Sequence, residues 1–266
     1  MAAIDMHTHA FPDQLAERAI RTLEAECPWK AVGDGTLDGL IASMDAADVD
    51  VAVVCMIATK PDHAKSILAW CEKVRSDRIE PFPSVHPDTP KPGKAVDKIA
   101  KAGFAGMKLH PMYQEFAADE PRLDPIYAAA AGAGLVVAVH CGRDIAYPPD
   151  DDRAAPERFA RVLDRHPSLR LLCTHMGGWR MWDESDDLLV GRAIHLETSF
   201  STGERGTDTE RIVNMIRRHG VDRVCFGSDW PWAPQKEDLD RLAGSGLTKA
   251  ELRKILWSNA AGLLGY

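Results

Sequence analysis

The feature that most constrains this chain is an alternation that runs from one end to the other: eight short apolar runs separated by amphipathic stretches. The runs are AIDMH at residues 3–7, VDVAVVCM from Val49, IEPFPSVH from Ile79, FAGMKLH from Phe104, GLVVAVH from Gly134, LRLLCTH from Leu169, AIHLETS from Ala193 and DRVCFGSD from Asp222. Most are rich in Val, Ile or Leu and are bounded by Gly, Pro or polar turns, as strands buried on both faces are. Between them, segments such as DHAKSILAWCEKVRSD from Asp62 and PERFARVLDRHP from Pro156 repeat apolar residues at helical spacing.

Eight strand-then-helix units in 266 residues point to an α/β fold, a single eight-stranded parallel β/α (TIM) barrel with residues 1–266 forming one domain. A doubly wound open sheet is the competing solution. No interdomain linker interrupts the pattern, and PDTPKPGKA from Pro87 reads as a loop entering a helix.

Bulk properties remove several classes of function. No apolar run reaches the ~18 residues of a membrane span. The leading segment MAAIDMHTHA lacks the basic and apolar regions of a signal peptide, so a cytoplasmic location is expected. A net charge of −8 argues against nucleic acid, whose affinity rests on clustered Lys and Arg. Cys27, Cys55, Cys71, Cys141, Cys173 and Cys225 show no Cys-x-x-Cys pair and read mainly as buried free thiols. The expected partner is a small-molecule substrate, with a homodimer as the candidate assembly.

A parallel barrel delivers the C-terminal ends of all its strands to one rim. Of ten histidines, His7, His9, His86, His110, His140 and His175 fall at the ends of these runs, and Asp229 ends the last. On an extended chain His7 and His9, one residue apart, point the same way and can grip one ion. Imidazole and carboxylate together suit Zn²⁺ or a similar first-row ion.

The segments DMHTH, VAVHCG, LCTHMGG and FGSDWPW close the first, fifth, sixth and eighth runs in that order. With the final WSNAAGLLG they resemble the amidohydrolase superfamily, most closely the amidohydrolase-2 branch that includes aminocarboxymuconate semialdehyde decarboxylase. The resemblance covers almost the whole chain. It implies one divalent ion, Zn first with Mn, Fe or Co as alternatives, on His7, His9, His140 and Asp229. Asp229 and His175 would be the catalytic pair, Asp229 shuttling a proton and His175 orienting water or substrate.

Lys108 and His110, in GMKLHP, are read as substrate-contacting residues. The alternative for Lys108 is a carbamate bridging two metals, as in other branches of the superfamily. Arg143 is assigned to a substrate carboxylate and Trp230 to an apolar wall, with Arg180, Arg205, Trp29, Trp179, Trp182 and Trp232 in the same class of loop. Glu197 either braces a metal-bound histidine or pairs with an arginine. His86 either faces the pocket or bonds a loop, and Asn259 braces the last helix.

The leading expectation is hydrolysis of an amide, ester or lactone by metal-activated water. The alternative is non-oxidative decarboxylation of a small aromatic or unsaturated acid. Phosphodiester cleavage is disfavoured by the net charge, and a non-catalytic metal-binding barrel leaves Asp229 without a purpose.

Overall fold

The computed structural model describes residues 1–266 and contains all eight strands: β1 Ile4–Thr8, β2 Val51–Cys55, β3 Ile79–Phe82, β4 Gly106–Leu109, β5 Val136–Val139, β6 Arg170–Cys173, β7 His195–Glu197 and β8 Val224–Cys225. Helices α1 Asp13–Glu26 and α2 Leu37–Ala47 both lie between β1 and β2. Single helices follow the next strands: α3 His63–Val74, α4 Pro92–Lys101, α5 Asp124–Ala133, α6 Pro156–Arg165, α7 Trp182–Leu188 and α8 Thr209–His219. Beyond β8 come α9 Gln235–Ala243, α10 Lys249–Arg253 and α11 Asn259–Leu264. A one-turn π segment, Lys254–Ser258, joins the last two.

All strand pairs are parallel and sequential, in a three-stranded ladder β1-β2-β3 and a five-stranded ladder β4 to β8. Isolated parallel bridges cross both seams, Ser84 to Lys108 and Thr8 to Trp230. The eight strands are thereby ordered as a ring. The strands after the sixth are shorter than the apolar runs, because Phe226 and Asp229 leave the β7 ladder and bond instead to β1 through Met6 and His7.

Two apolar cores result, as expected when a closed sheet separates an inside from an outside. Ile4, Met6, Val53, Phe82, Val136, Ala138, Leu172 and Cys225 fill the interior, and Ala260 and Leu263 of α11 plug its lower end. The larger core lies between strands and helices, where Val54, Leu109, Val139 and Leu171 meet helix residues such as Leu40, Ile99, Ile126 and Phe159. Pro at the first turn of α4, α5 and α6 presets the helical φ, and Gly134 at φ 68° closes α5 in the left-handed region. No helix is long and apolar enough to cross a membrane. All six cysteines are free, five of them buried.

One irregularity decides the chemistry of the rim. Ile4 pairs with Val51 and Asp5 with Ala52, but Thr8 then pairs with Val54, so β1 carries one extra residue. Side chains alternate along a strand, so a bulge of one residue reverses which side chains face inward. Ile4 and Met6 fill the interior below the bulge, and above it His7 turns inward to meet Glu197 of β7. Asp5 is left on the outer side of the sheet, where it is bonded to Ser228 and to Gln235 of α9.

Candidate metal centre

His7 and His9 reach the same point from β1, and Asp229 meets them from the segment after β8. Their Nε2 atoms lie 3.2 Å apart, and Asp229 Oδ1 stands 3.4 Å from His7 Nε2 and 3.1 Å from His9 Nε2. The outer nitrogens are spoken for: His7 Nδ1 faces Glu197 Oε1 at 3.0 Å and His9 Nδ1 faces the Cys55 carbonyl at 2.8 Å. Both Nδ1 atoms therefore carry the proton, and the Nε2 lone pairs converge. Asp229 Oδ1 is buried with no hydrogen-bond partner. Two imidazole lone pairs and a carboxylate oxygen without a hydrogen-bond partner converge on one point, with Lys108 Nζ 3.0 Å from His7 Nε2 beside them, and this donor set fits a divalent cation.

His175 and His140 extend this arrangement. Ser199 Oγ is 2.8 Å from His175 Nδ1 and donates to Glu197 Oε1 at 2.7 Å, which makes His175 Nδ1 the protonated nitrogen. His140 Nε2 gives its proton to the Arg143 carbonyl at 3.0 Å. The remaining nitrogens, His175 Nε2 and His140 Nδ1, face each other at 3.2 Å. Two lone pairs at that distance repel unless a cation or a proton lies between them. His140 is nevertheless set apart from the three converging groups, since it belongs with His110 and Asp144.

Burial drives the basicity of His7, His110 and His140 far down and that of His175 down to about 4, so neutral imidazoles are available as ligands. Burial alone would raise Asp229, but His7 and His9 hold its carboxyl far below the usual carboxylate range. Asp5, on the outer face of β1, is pushed up to about 7 by burial.

Glu197 is wholly buried and accepts from the His175 amide at 2.8 Å and the Ser199 amide at 2.6 Å, as well as facing His7. No arginine reaches it; of its two sequence readings, the structure shows the carboxylate beneath the histidines. Gly227 makes room for it, since a Cβ there would lie 2.2 Å from Glu197 Oε2. Gly142, at φ 93°, lets the loops after β5 and β6 touch, where a Cβ would lie 2.1 Å from the Trp179 amide.

Lys108 is fully buried on β4 with Nζ 3.0 Å from His7 Nε2, and it touches the cluster rather than the open cavity. His110 and Arg143 both line that cavity, a space of about 770 Å³. Trp230 does not. It is 2% exposed and lies against Gly33, whose Cβ would fall 2.3 Å from the indole, because the segment after Asp229 pairs with β1 and carries the ring outward. Trp182 is likewise absent from the walls, whereas Trp29, Trp179 and Trp232 form part of them. Trp70 and His63, both from α3, join them although nothing in their local sequence marks them. His86 is buried and accepts from the Asp88 amide, outside the cavity. Arg205 lies over the Trp29 ring and Arg180 over the Trp179 ring, behind the lining. Asn259 donates to the Val221 and Val224 carbonyls, bracing α11 against β8.

A residue that sequence reasoning passed over is Asp144, four positions after His140. Its carboxylate lies 3.5 Å from His110 Nε2, and burial raises it to about 6. Its proximity to the HCG segment was the only available signal.

The fold and this cluster define a β/α barrel with an imidazole–carboxylate centre at the C-terminal rim, opening into an aromatic-walled cavity. The chain belongs to the amidohydrolase family, whose model matches residues 4–266. It is 24% identical over 117 residues to the gamma-resorcylate decarboxylase of Polaromonas sp. (strain JS666), a match covering 38% of this chain and 36% of that enzyme. A TIM-barrel protein from Bordetella bronchiseptica superposes with a TM-score of 0.79 at 19% identity, covering 100% of this chain and 99% of the other. The dihydroxybenzoic acid decarboxylase of Polaromonas sp. JS666, solved with manganese and 2-nitroresorcinol, gives 0.72 at 16% identity, covering 99% and 97%. Two of these three relatives are decarboxylases, the reaction placed second on sequence grounds.

Proposed function

We propose that the protein is a metal-dependent, non-oxidative decarboxylase of a small aromatic carboxylic acid. One observation carries the reading: the cavity is apolar and aromatic along its walls, with Trp29, Trp70, Trp179 and Phe200, and concentrates titratable groups at the floor. That division suits a flat ring with one anionic substituent directed downward. Two of the relatives named above, the gamma-resorcylate and dihydroxybenzoic acid decarboxylases, carry the names of such acids.

His7, His9 and Asp229 would hold the ion, with His140 and His175 alongside. A divalent cation there supplies a fixed positive charge for the substrate carboxylate or a neighbouring oxygen. The donor set suits Zn²⁺ and Mn²⁺ alike; the manganese of the related decarboxylase supports the latter. Lys108 adds a second positive group on the floor, and an ammonium 3.0 Å from His7 Nε2 would repel a cation at that nitrogen. A substrate carboxylate drawn to this floor offsets both charges, so we assign Lys108 to the substrate rather than to a bridging carbamate. Arg143, whose Nη1 is already tied to the Asp151 carbonyl, faces the ring from the β5 side.

Loss of CO₂ leaves the carbon–carbon electron pair on the ring carbon, which must take up one proton. That proton comes from solvent water, and Asp229 is the carboxylate placed to relay it, taking it from a water molecule and passing it to the ring carbon so that hydroxide is left for the solvent to neutralise. His175 stands beside it, and its link through Ser199 to Glu197 holds the ring in place for passing protons in.

A panel of aromatic acids, lactones, esters and amides with metal-loaded protein tests the reading, scoring CO₂ and acid release separately. We expect CO₂ from at least one aromatic acid, with one deuterium on the vacated ring carbon in D₂O. Acid release from a lactone or ester with no CO₂ from any acid would reverse the assignment to hydrolysis.

A further inference from the structure

Helix α1 is held to the barrel along one edge only. Of its 14 residues Ala16 alone is buried, although apolar side chains recur along it at helical spacing. The Phe11 amide donates to the Gly35 carbonyl at 2.8 Å. Gly35, at φ 75°, lets Ile20 and Phe11 close on its backbone, where a Cβ would lie 2.9 and 3.2 Å from them. Thr36 then caps α2 by accepting from the Gly39 amide, so the loop that carries α1 is itself fixed.

The face beside that edge meets no other element. Leu15, Ala19 and Leu23 recur at four-residue spacing, with Gln14, Arg18 and Thr22 in the adjoining row, and all six line the cavity. Leu15 is 49% exposed. From α3, His63, Ser66, Ile67 and Trp70 present the i, i+3, i+4, i+7 pattern of one helix face to the same space. Apolar helix faces are ordinarily buried against a neighbouring element. Here α1 and α3 instead bound a groove that is continuous with the floor.

A single-ring acid leaves this groove unused. About 150 Å³ encloses a benzene ring, whereas this cavity measures about 770 Å³, within the range that holds a drug-sized ligand. With a carboxylate on the floor, one ring leaves Leu15, Leu23 and Trp70 facing water. A ligand that covers them gains in proportion to the apolar area it removes from water. Groove and floor belong to one cavity, so one molecule can span both.

We propose that the groove between α1 and α3 is a subsite for a second apolar group, ring-sized or larger, and that the substrate is an extended aromatic acid with its carboxyl at the floor. The inference rests on the aromatic-acid reading above and adds the part of the substrate that the floor does not touch. Gln14, Arg18 and Ser66 are exposed at the groove's edge, where the ligand gives way to solvent.

Calorimetric binding to manganese-loaded protein tests this without turnover. The probes are benzoate, ortho-, meta- and para-phenylbenzoate and the matching phenylbenzyl alcohols, with wild type, Leu15→Glu and Ala19→Trp. Both substitutions lie on α1, which carries no group of the floor, and Leu15 is exposed enough to change without disturbing the fold. At least one phenylbenzoate should bind wild type about 10- to 100-fold more tightly than benzoate, the gain from burying one aromatic group. A charge in the groove, or an indole filling it, should bring that ratio towards one while benzoate affinity stays unchanged. A ratio near one for every isomer in wild type, or a preference that survives in either folded variant, overturns the subsite. The alcohols separate this from the reading beneath it: if they bind wild type as tightly as the acids, the acid-binding floor is overturned and the groove stands.

Discussion

Glu197 Oε1 stands 3.0 Å from His7 Nδ1, and the same oxygen receives the His175 amide at 2.8 Å, so one buried carboxylate aligns two histidines of the candidate metal centre. Carboxylates in this position fix the tautomer and increase the basicity of the inward nitrogen. Glu197→Gln should therefore weaken metal affinity about 10- to 100-fold while leaving the barrel folded. Competition with a chromogenic chelator measures it, and unchanged affinity would remove Glu197 from the centre.

Gly227→Ala reaches the same carboxylate from the segment after β8. An added Cβ would lie 2.2 Å from Glu197 Oε2 and 3.1 Å from His7 Cβ, so one of them has to move. Metal affinity should fall at least as far as in Glu197→Gln, with a stability loss of about 1–3 kcal/mol from overpacking. Denaturant unfolding beside the chelator assay reads both, and a variant equal to wild type in each would show that the site tolerates the shift.

Stoichiometry separates the two readings of Lys108. The protein should carry about one divalent ion by elemental analysis, and His7→Ala and His9→Ala should each lose most of it, because two ligands sit on one strand. Lys108→Met should retain the ion and lose turnover. A value near two in wild type, falling in Lys108→Met, would instead establish a bridging carbamate.

Asp5 ties the segment of His7 to that of Asp229. Its Oδ1 accepts from the His7 and Ser228 amides at 3.1 and 3.0 Å, and its Oδ2 from Ser228 Oγ and Gln235 Nε2 at 2.6 and 2.8 Å. Asp5→Ala orphans several buried donors, each worth about 1–3 kcal/mol, so a loss of about 3 kcal/mol or more is expected on chemical unfolding. A loss below about 1 kcal/mol would show that the two segments hold their places without it.

Stability should also fall with acid through His219. Its Nδ1 accepts from the Gly191 amide and its Nε2 donates to the Ile194 carbonyl, and burial lowers it to about 4. The unfolded chain takes up this proton near pH 6.5 while the folded one refuses it, so this contribution is intact above about 6.5 and declines as pH falls towards 4. His195, also lowered to about 4 by burial, acts in the same direction. Unfolding free energies at pH 7 and 5 should differ more in wild type than in His219→Gln. Equal differences would assign the acid sensitivity elsewhere.

The alternation of eight apolar runs with helical segments determined the barrel, because strand and helix periodicities are local and survive in a single sequence. The same locality exposed the strand-end histidines and Asp229, since a parallel barrel sends all such ends to one rim. What the chain could not declare was anything that depends on register or on contacts between distant segments. The bulge between Asp5 and Thr8 has no marker of its own, yet it turns His7 inward and leaves Asp5 outside. Glu197 could have faced an arginine until closure of the ring brought the end of β7 within reach of His7 across β8. Trp230 reads as a loop residue over the pocket, but pairing of its segment with β1 buries it against Gly33. Asp144, Trp70 and His63 enter the cavity only because the β5 loop and α3 are folded over the same rim, a matter of tertiary packing rather than of any pattern in their neighbours.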